Sequence, residues 1–244
     1  FKYAGNWVQT NAPLGYRWQR FWLAKLQKRP VTLNGRWPGQ APHLHAFENP
    51  CMSEREWEET QKRSQNKRFD AGLTLCFVGS LTPNKGAVQM LEAISKLDKP
   101  LFEKVLIAGD GPQRTELEML AQKCPVEVEL LGFQDRNQLN EIYTQSHFLL
   151  LPSENEGFPK VIAEAAAHGC IPIVTDVSCI GQYVRERENG FLLPNNSTHS
   201  IQDQLEKIRL LTQYFPAISA EASVLAQAFT YERYRNRILE MMAV

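Results

Sequence analysis

The sequence predicts an α/β fold, a parallel sheet with helices on both faces, and three observations carry that reading. From Leu73 onward short apolar runs alternate with stretches of helical periodicity. The polar and glycine-rich loops follow the strands, as they do when crossovers line up all strand ends along one edge. Finally, 43% of the 244 residues are hydrophobic against 22% charged, enough to bury a sizeable core.

Charge is spread unevenly. The net charge is zero, which argues against a general nucleic-acid binder. Yet residues 1–70 hold 12 Lys and Arg against 6 Asp and Glu, and the remainder 15 against 21, so the two parts read as different units. No apolar run of about 18 residues and no signal-type stretch is found, which points to a cytoplasmic location. Phe1 in place of an initiator methionine suggests a piece of a longer protein. Cys51, Cys76, Cys124, Cys170 and Cys179 form no C-x-x-C pair, so buried free thiols are expected and a zinc site is not. His43 and His45 read as a loop pair.

Taken in order, a helix is expected from Leu14 to Lys28. Leu14, Trp18, Phe21, Trp22 and Leu26 share one face, with Arg17, Arg20, Lys25 and Lys28 around it and no acid between Phe1 and Phe47. Such a face either packs against protein, the commoner case, or lies on an anionic membrane. A strand at Val31–Asn34 and a loop from Gly35 to Pro50 follow. Ser53 and Glu56 have the form of a capping box, opening a charge-alternating run to Arg68 that suits a solvated helix and linker. A boundary falls near Asp70, giving three units: 1–70, 71–215 and 216–244.

The strands of the second unit are expected at Leu73–Val78, Val105–Ala108, Val126–Leu131, Phe148–Leu151, Ile171–Val174 and Phe191–Leu193. Helices are expected at Gly86–Leu97, Gln113–Lys123, Asn137–Gln145, Pro159–Gly169, Gly181–Arg187 and Thr198–Tyr214. A last helical stretch, Ala217–Met242, either closes this unit or crosses to another.

The chemistry concentrates in Pro152–Gly169, P-S-E-N-E-G-F-P-K-V-I-A-E-A-A-A-H-G. Pro159 is preorganised for the first turn of a helix and Gly169 suits its end. Glu156 then sits at a helix mouth and Glu164 about a turn and a half along. Unpaired N–H groups at a helix mouth suit a phosphate, and carboxylates accept hydrogen bonds from hydroxyls, so the pair describes a nucleotide sugar. Two loops could join it. G-S-L-T-P-N-K-G, residues 79–86, brings Lys85, a point charge for phosphate, although the spacing is not that of a P-loop. A-G-D-G-P, residues 108–112, reads mainly as turn chemistry.

Together the blocks F-V-G-S-L-x-x-x-K-G, A-G-D-G-P, E-G-F-P-x-x-x-x-E-A and H-G-C-I-P-I-V-T-D resemble the retaining glycosyltransferases of family 4 over Leu73–Asn195. The resemblance implies the Rossmann-like C-terminal half of a GT-B enzyme, plus a remnant of the N-terminal, acceptor-side domain. It implies that Glu164 binds ribose hydroxyls and Glu156 those of the transferred sugar. Gly157 and Phe158 would give backbone N–H groups to that sugar, and Lys160 and Val161 to the diphosphate, while Pro159 offers none. Lys85 would neutralise the leaving diphosphate and Phe133 would set its main chain against the base. Ser80 departs from the pattern, because many relatives have an arginine there; Lys85 and the helix mouth must carry more of the charge.

The resemblance further implies transfer from a nucleoside diphosphate sugar, UDP favoured, to a hydroxyl of a glycan or lipid-linked acceptor, with no cofactor and no metal. A nucleotide-sugar-binding or scaffold module without catalysis is the other reading, which Ser80 favours.

Overall fold

The computed structural model describes residues 1–70 and 72–243. Its N-terminal part is a small parallel sheet of β1 (Lys2–Tyr3), β2 (Val31–Leu33) and β3 (Leu44–Ala46), in that order. Only β2 was expected. β1 is two residues long, and β3 lies within the stretch read as loop, so that His45 is a strand residue. Both are too short to show a period of two, and pairing creates them. Tyr3 and Ala46 both register with Leu33, and the Phe47 amide donates to the Leu33 carbonyl at 2.8 Å.

Helix α1 (Leu14–Phe21) continues as a π-helical turn, Trp22–Leu26. Of the expected aromatic face only Trp22 packs against the described residues. Leu23 lies on the opposite side from Leu14 and enters a small core with Tyr3, Val31, Leu33 and Leu44, while Trp22 packs at the margin. Leu14, Trp18, Phe21 and Leu26 stay exposed.

All six expected strands of the larger sheet are present: β4 (Thr74–Val78), β5 (Lys104–Ala108), β6 (Glu127–Gly132), β7 (Phe148–Leu151), β8 (Ile171–Thr175) and β9 (Phe191–Leu193). All pairs are parallel and the order is β6-β5-β4-β7-β8-β9. The direction of winding reverses between β4 and β7, where ligands of such sheets bind.

Around this sheet run α2 (Glu54–Ser64), α3 (Ala87–Ser95), α4 (Arg114–Ala121), α5 (Arg136–Gln145), α6 (Lys160–Ala167), α7 (Thr198–Ile208), α8 (Phe215–Ala226) and α9 (Tyr231–Met242). The Ser53–Glu56 capping box opens α2 as expected. The helix is not a free linker, however. Trp57 is buried and its indole N–H donates to the Ser223 carbonyl at 2.9 Å, which docks α2 on α8.

Three expected helices differ. Thr198–Tyr214 is α-helical only to Ile208, after which 3-10 turns kinked at Leu211 run to Tyr214. Gly181–Arg187 contains one short turn, Ile180–Gln182, because Asn189 captures the local backbone. Its side chain accepts from the Arg185 amide at 2.7 Å and donates to the Tyr183 carbonyl at 3.0 Å, competing with helical bonds. The stretch Ala217–Met242 breaks at Thr230, which is extended. Cys51 donates to the Phe229 carbonyl and Tyr231 to the Met52 carbonyl, both at 2.9 Å, and this pairing draws the backbone out of the helix.

Beyond the break α9 returns to the N-terminal sheet. Arg237 donates to the Ala46 carbonyl at 2.5 Å, pairs with Glu48 and lies 4.4 Å over the Phe47 ring. Five cysteines are free, four of them buried, and among the described residues no group of three or more His, Cys, Asp and Glu is arranged to hold a metal.

Candidate functional site

The site is built at the C-terminal ends of β4 and β7. The loop after β4 ends at Gly86, whose left-handed φ of 75° suits glycine. A Cβ there would also stand 2.5 Å from the Pro152 carbonyl oxygen in the loop after β7, so the two loops meet only because Gly86 has no side chain. Asn84 ties them further. Its carbonyl accepts from the Glu154 amide at 2.8 Å and its side chain donates to the Asn155 carbonyl at 3.1 Å.

This contact brings Lys85 and Glu156 into an ion pair, with side chains only 22% and 13% exposed. The amides of Gly157, Phe158, Lys160 and Val161 make no hydrogen bond among the described residues. Glu156 and Lys85 thus stand over a helix mouth with its first donors open, a geometry that receives an anion. Phe158 turns its ring away into the core, stacked on Phe229 at 4.5 Å, so only its main chain can face a ligand.

The N-terminal part closes this loop from the other side. A Cβ on Gly157 would collide with the Ala4 carbonyl oxygen and approach Asn34 Nδ2 to 2.9 Å. Asn6 donates to the side-chain oxygen of Asn155 at 2.9 Å, and Asn34 donates to the Ala4 carbonyl at 3.0 Å. Neither asparagine was singled out from sequence, because the partner of Asn6 lies more than a hundred residues away and that of Asn34 just after a two-residue strand.

Glu164 lies further along α6 and lines a groove of about 850 Å³ with Lys160, Arg136, Arg63, Tyr143 and Glu56. The buried Tyr143 hydroxyl donates to Glu164 at 3.3 Å. Burial raises the Glu164 pKa above the usual carboxylate value, and the Tyr143 bond, Lys160 and Arg136 oppose that rise. Arg136 is the cation that sequence reading missed. The helix α5 was expected to begin at Asn137, but the Asp135–Gln138 capping box starts it at Arg136, whose guanidinium donates to Glu56 at 3.0 Å across the groove. That D-x-x-Q spacing was the available signal.

Ser80 follows Gly79, whose Cβ position stands 3.9 Å from Lys85 Cδ, while Phe133 belongs to the loop after β6, two strands away from β4. Both are exposed, Phe133 at 83%, at the tips of loops laid side by side at the sheet edge. The Gly79 amide donates to the Ala108 carbonyl at 3.0 Å and the Gly109 amide to the Gly132 carbonyl at 2.8 Å, which sets the loops after β4, β5 and β6 in a row. The structure therefore pairs Lys85 with Glu156, sets Lys160 and Glu164 in one groove, and leaves the Ser80 and Phe133 side chains exposed.

A parallel sheet with helices on both faces, its winding reversing between β4 and β7, with a paired cation and carboxylate at a helix mouth beside that point, defines a Rossmann-like α/β domain. Residues 58–213 match the family described as glycosyl transferases group 1, and the chain belongs to that family. An uncharacterized glycosyltransferase of Methanocaldococcus jannaschii is 32% identical over 145 residues, 57% of this chain and 37% of that protein. An α-1,4-N-acetyl-D-galactosaminyltransferase of Campylobacter jejuni, which acts on an undecaprenol-diphosphate-linked glycan, is 35% identical over 119 residues, 48% of this chain and 31% of that one. The chain thus spans less than half the length of either relative. Among solved structures, Anabaena HepE in complex with UDP and glucose superposes with a TM-score of 0.76 at 16% identity, over 100% of this chain and 70% of that one.

Proposed function

We propose that this chain is the donor-binding part of a retaining glycosyltransferase of family 4. It takes a nucleoside diphosphate sugar, a UDP-sugar by preference, and the sugar passes to a hydroxyl of a glycan or lipid-linked acceptor. The observation that carries the reading is the Lys85–Glu156 pair over the open N-terminus of α6, with Glu164 on the same helix. UDP in the HepE complex and the lipid-linked substrate in the name of the Campylobacter relative support the choice of donor and acceptor.

In this reading Glu164 accepts hydrogen bonds from the ribose and Glu156 from the transferred sugar. The amides of Gly157 and Phe158 face that sugar, those of Lys160 and Val161 hold the diphosphate, and the Phe133 main chain faces the base. On donor binding Lys85 turns from Glu156 to the leaving diphosphate. The sugar's C1–O bond to diphosphate breaks as a bond from C1 to the acceptor oxygen forms on the same face, and the acceptor's proton passes to a leaving phosphate oxygen. Neutralisation by Lys85 and the helix mouth needs no metal ion. Residues 1–70 serve as part of the acceptor side, 71–215 as the donor domain, and 216–244, broken at Thr230 into α8 and α9, as the segment joining them.

Calorimetric titration with UDP-sugars tests this. Binding that disappears in Glu164→Ala is expected, and unchanged affinity in that variant would refute the ribose assignment. Ser80, neutral where a second cation would help, favours the other reading of a binding module. Tight donor binding with no turnover on any glycan or lipid acceptor would decide for it.

A further inference from the structure

Helix α1 carries an apolar surface that none of the described residues covers. None of its eight residues is buried. Leu14, Trp18 and Phe21, at positions i, i+4 and i+7, are 79%, 63% and 49% exposed, and the Trp18 and Phe21 rings lie 5.7 Å apart as one aromatic surface. The helix is nonetheless firmly held from its other side, by Leu23 in the small core and by Arg20. The Arg20 guanidinium donates to the carbonyls of Trp7 at 2.6 Å and Gln9 at 2.8 Å. A fixed helix with its large side chains turned outward is built to meet something.

The surrounding charge identifies the partner. Arg17, Lys25, Lys28 and Arg29 are exposed around the stripe, they form no ion pair among the described residues, and no acid occurs before Glu48. Protein interfaces are depleted in lysine and match charges of both signs, whereas a single-sign basic rim around Trp, Phe and Leu matches an anionic bilayer surface. Among the described residues no helix is long and apolar enough to cross a membrane, so the contact is peripheral.

We infer that α1 docks this protein on an anionic lipid surface, with Leu14, Trp18 and Phe21 inserted at the headgroup level and Arg17, Lys25, Lys28 and Arg29 against the lipid phosphates. The docked helix is coupled to the candidate site. Arg20 grips the 7–9 loop, and Asn6 at its start donates to Asn155, the neighbour of Glu156. If the glycosyl-transfer reading holds, this linkage presents the sugar-holding loop to an acceptor carried in the membrane.

Vesicle sedimentation of the 244-residue chain tests the inference without reference to transfer, so its failure and that of the proposed activity are told apart. Binding is expected to phosphatidylcholine vesicles carrying about one third phosphatidylglycerol, weakening in high salt, and not to phosphatidylcholine alone. The exposed double variant Trp18→Glu/Phe21→Glu should bind at least about ten-fold more weakly at an unchanged melting temperature, and Lys25→Glu/Lys28→Glu should fall similarly. Three results would overturn it: no binding to anionic vesicles, binding that survives Trp18→Glu/Phe21→Glu, or a soluble dimer that the same variant dissociates, which would give the face to a second copy.

Discussion

Glu164 is placed where its chemistry conflicts with its comfort. Burial favours its neutral form, whereas the role proposed for it, accepting hydrogen bonds from a ribose, favours the carboxylate. Donor affinity should therefore be full above its pKa and be lost as pH falls through it, starting at a higher pH than for an exposed glutamate. Calorimetry across mildly acidic pH checks this, and the dependence should vanish in Glu164→Gln. The same raised pKa means that the folded state holds the proton more tightly than the unfolded chain. Stability contributed at Glu164 is then present below its unfolded pKa and lost as pH rises through the folded one. Glu164→Gln should melt at a higher temperature than the parent at neutral pH while binding donor about 10- to 100-fold more weakly, a charged hydrogen bond being worth ~1.5–3 kcal/mol. The role proposed for Lys85 lies at the other end of the donor. Lys85→Ala should lower kcat by roughly 10²–10³ with a smaller change in donor affinity, because the charge it balances grows as the diphosphate leaves. Initial rates with saturating donor, beside a titration, separate the two.

At the scale of elements, the close approach of the N-terminal segment to the loop after β7 makes Gly157 a packing position, beside the sugar-binding role proposed for its amide. Gly157→Ala sets a methyl against the Ala4 carbonyl, and overpacking of this kind costs ~1–3 kcal/mol. Thermal unfolding should report a drop of about 2–4 °C for each kcal/mol lost. How much of this was legible follows from range. The six strands of the large sheet and the loops that follow them could be read because each is a local pattern, three to six apolar-rich residues and then Gly, Pro or a polar turn. The Lys85–Glu156 meeting was within reach for the same reason, since parallel winding brings the ends of β4 and β7 together. What stayed hidden depends on partners remote in sequence. β1 and β3 exist only as neighbours of β2, the break at Thr230 is made by Cys51 and Met52, and Arg136 reaches the groove only through a cap that starts α5 one residue early. The exposed stripe of α1 was visible as a pattern, but which side of the helix the protein grips was decided by Leu23 and Arg20.

For the whole molecule, the joint between the N-terminal sheet and the large domain rests on a few polar contacts. Arg237 on α9 is its centre, reaching Glu48, the Ala46 carbonyl and the Phe47 ring at once, and the ion pair with Glu48 is mostly shielded from water. Alanine there would leave Glu48 facing only the Tyr183 hydroxyl, at 3.1 Å, and remove the guanidinium stacked on Phe47. Breaking one partner out of a buried pair costs about 3 kcal/mol or more, and most of that loss should fall on the joint, because α9 buries no residue of its own. Arg237→Ala should consequently open the 46–50 segment to limited proteolysis well before the large sheet melts. Glu156, Lys85 and Glu164 are carried by the large sheet and its helices, so titration should find donor affinity nearly unchanged in this variant. An equal loss of donor binding would mean that the joint, through Ala4, Asn6 and Asn34, holds the sugar loop in shape, and that donor and acceptor sides fold as one unit.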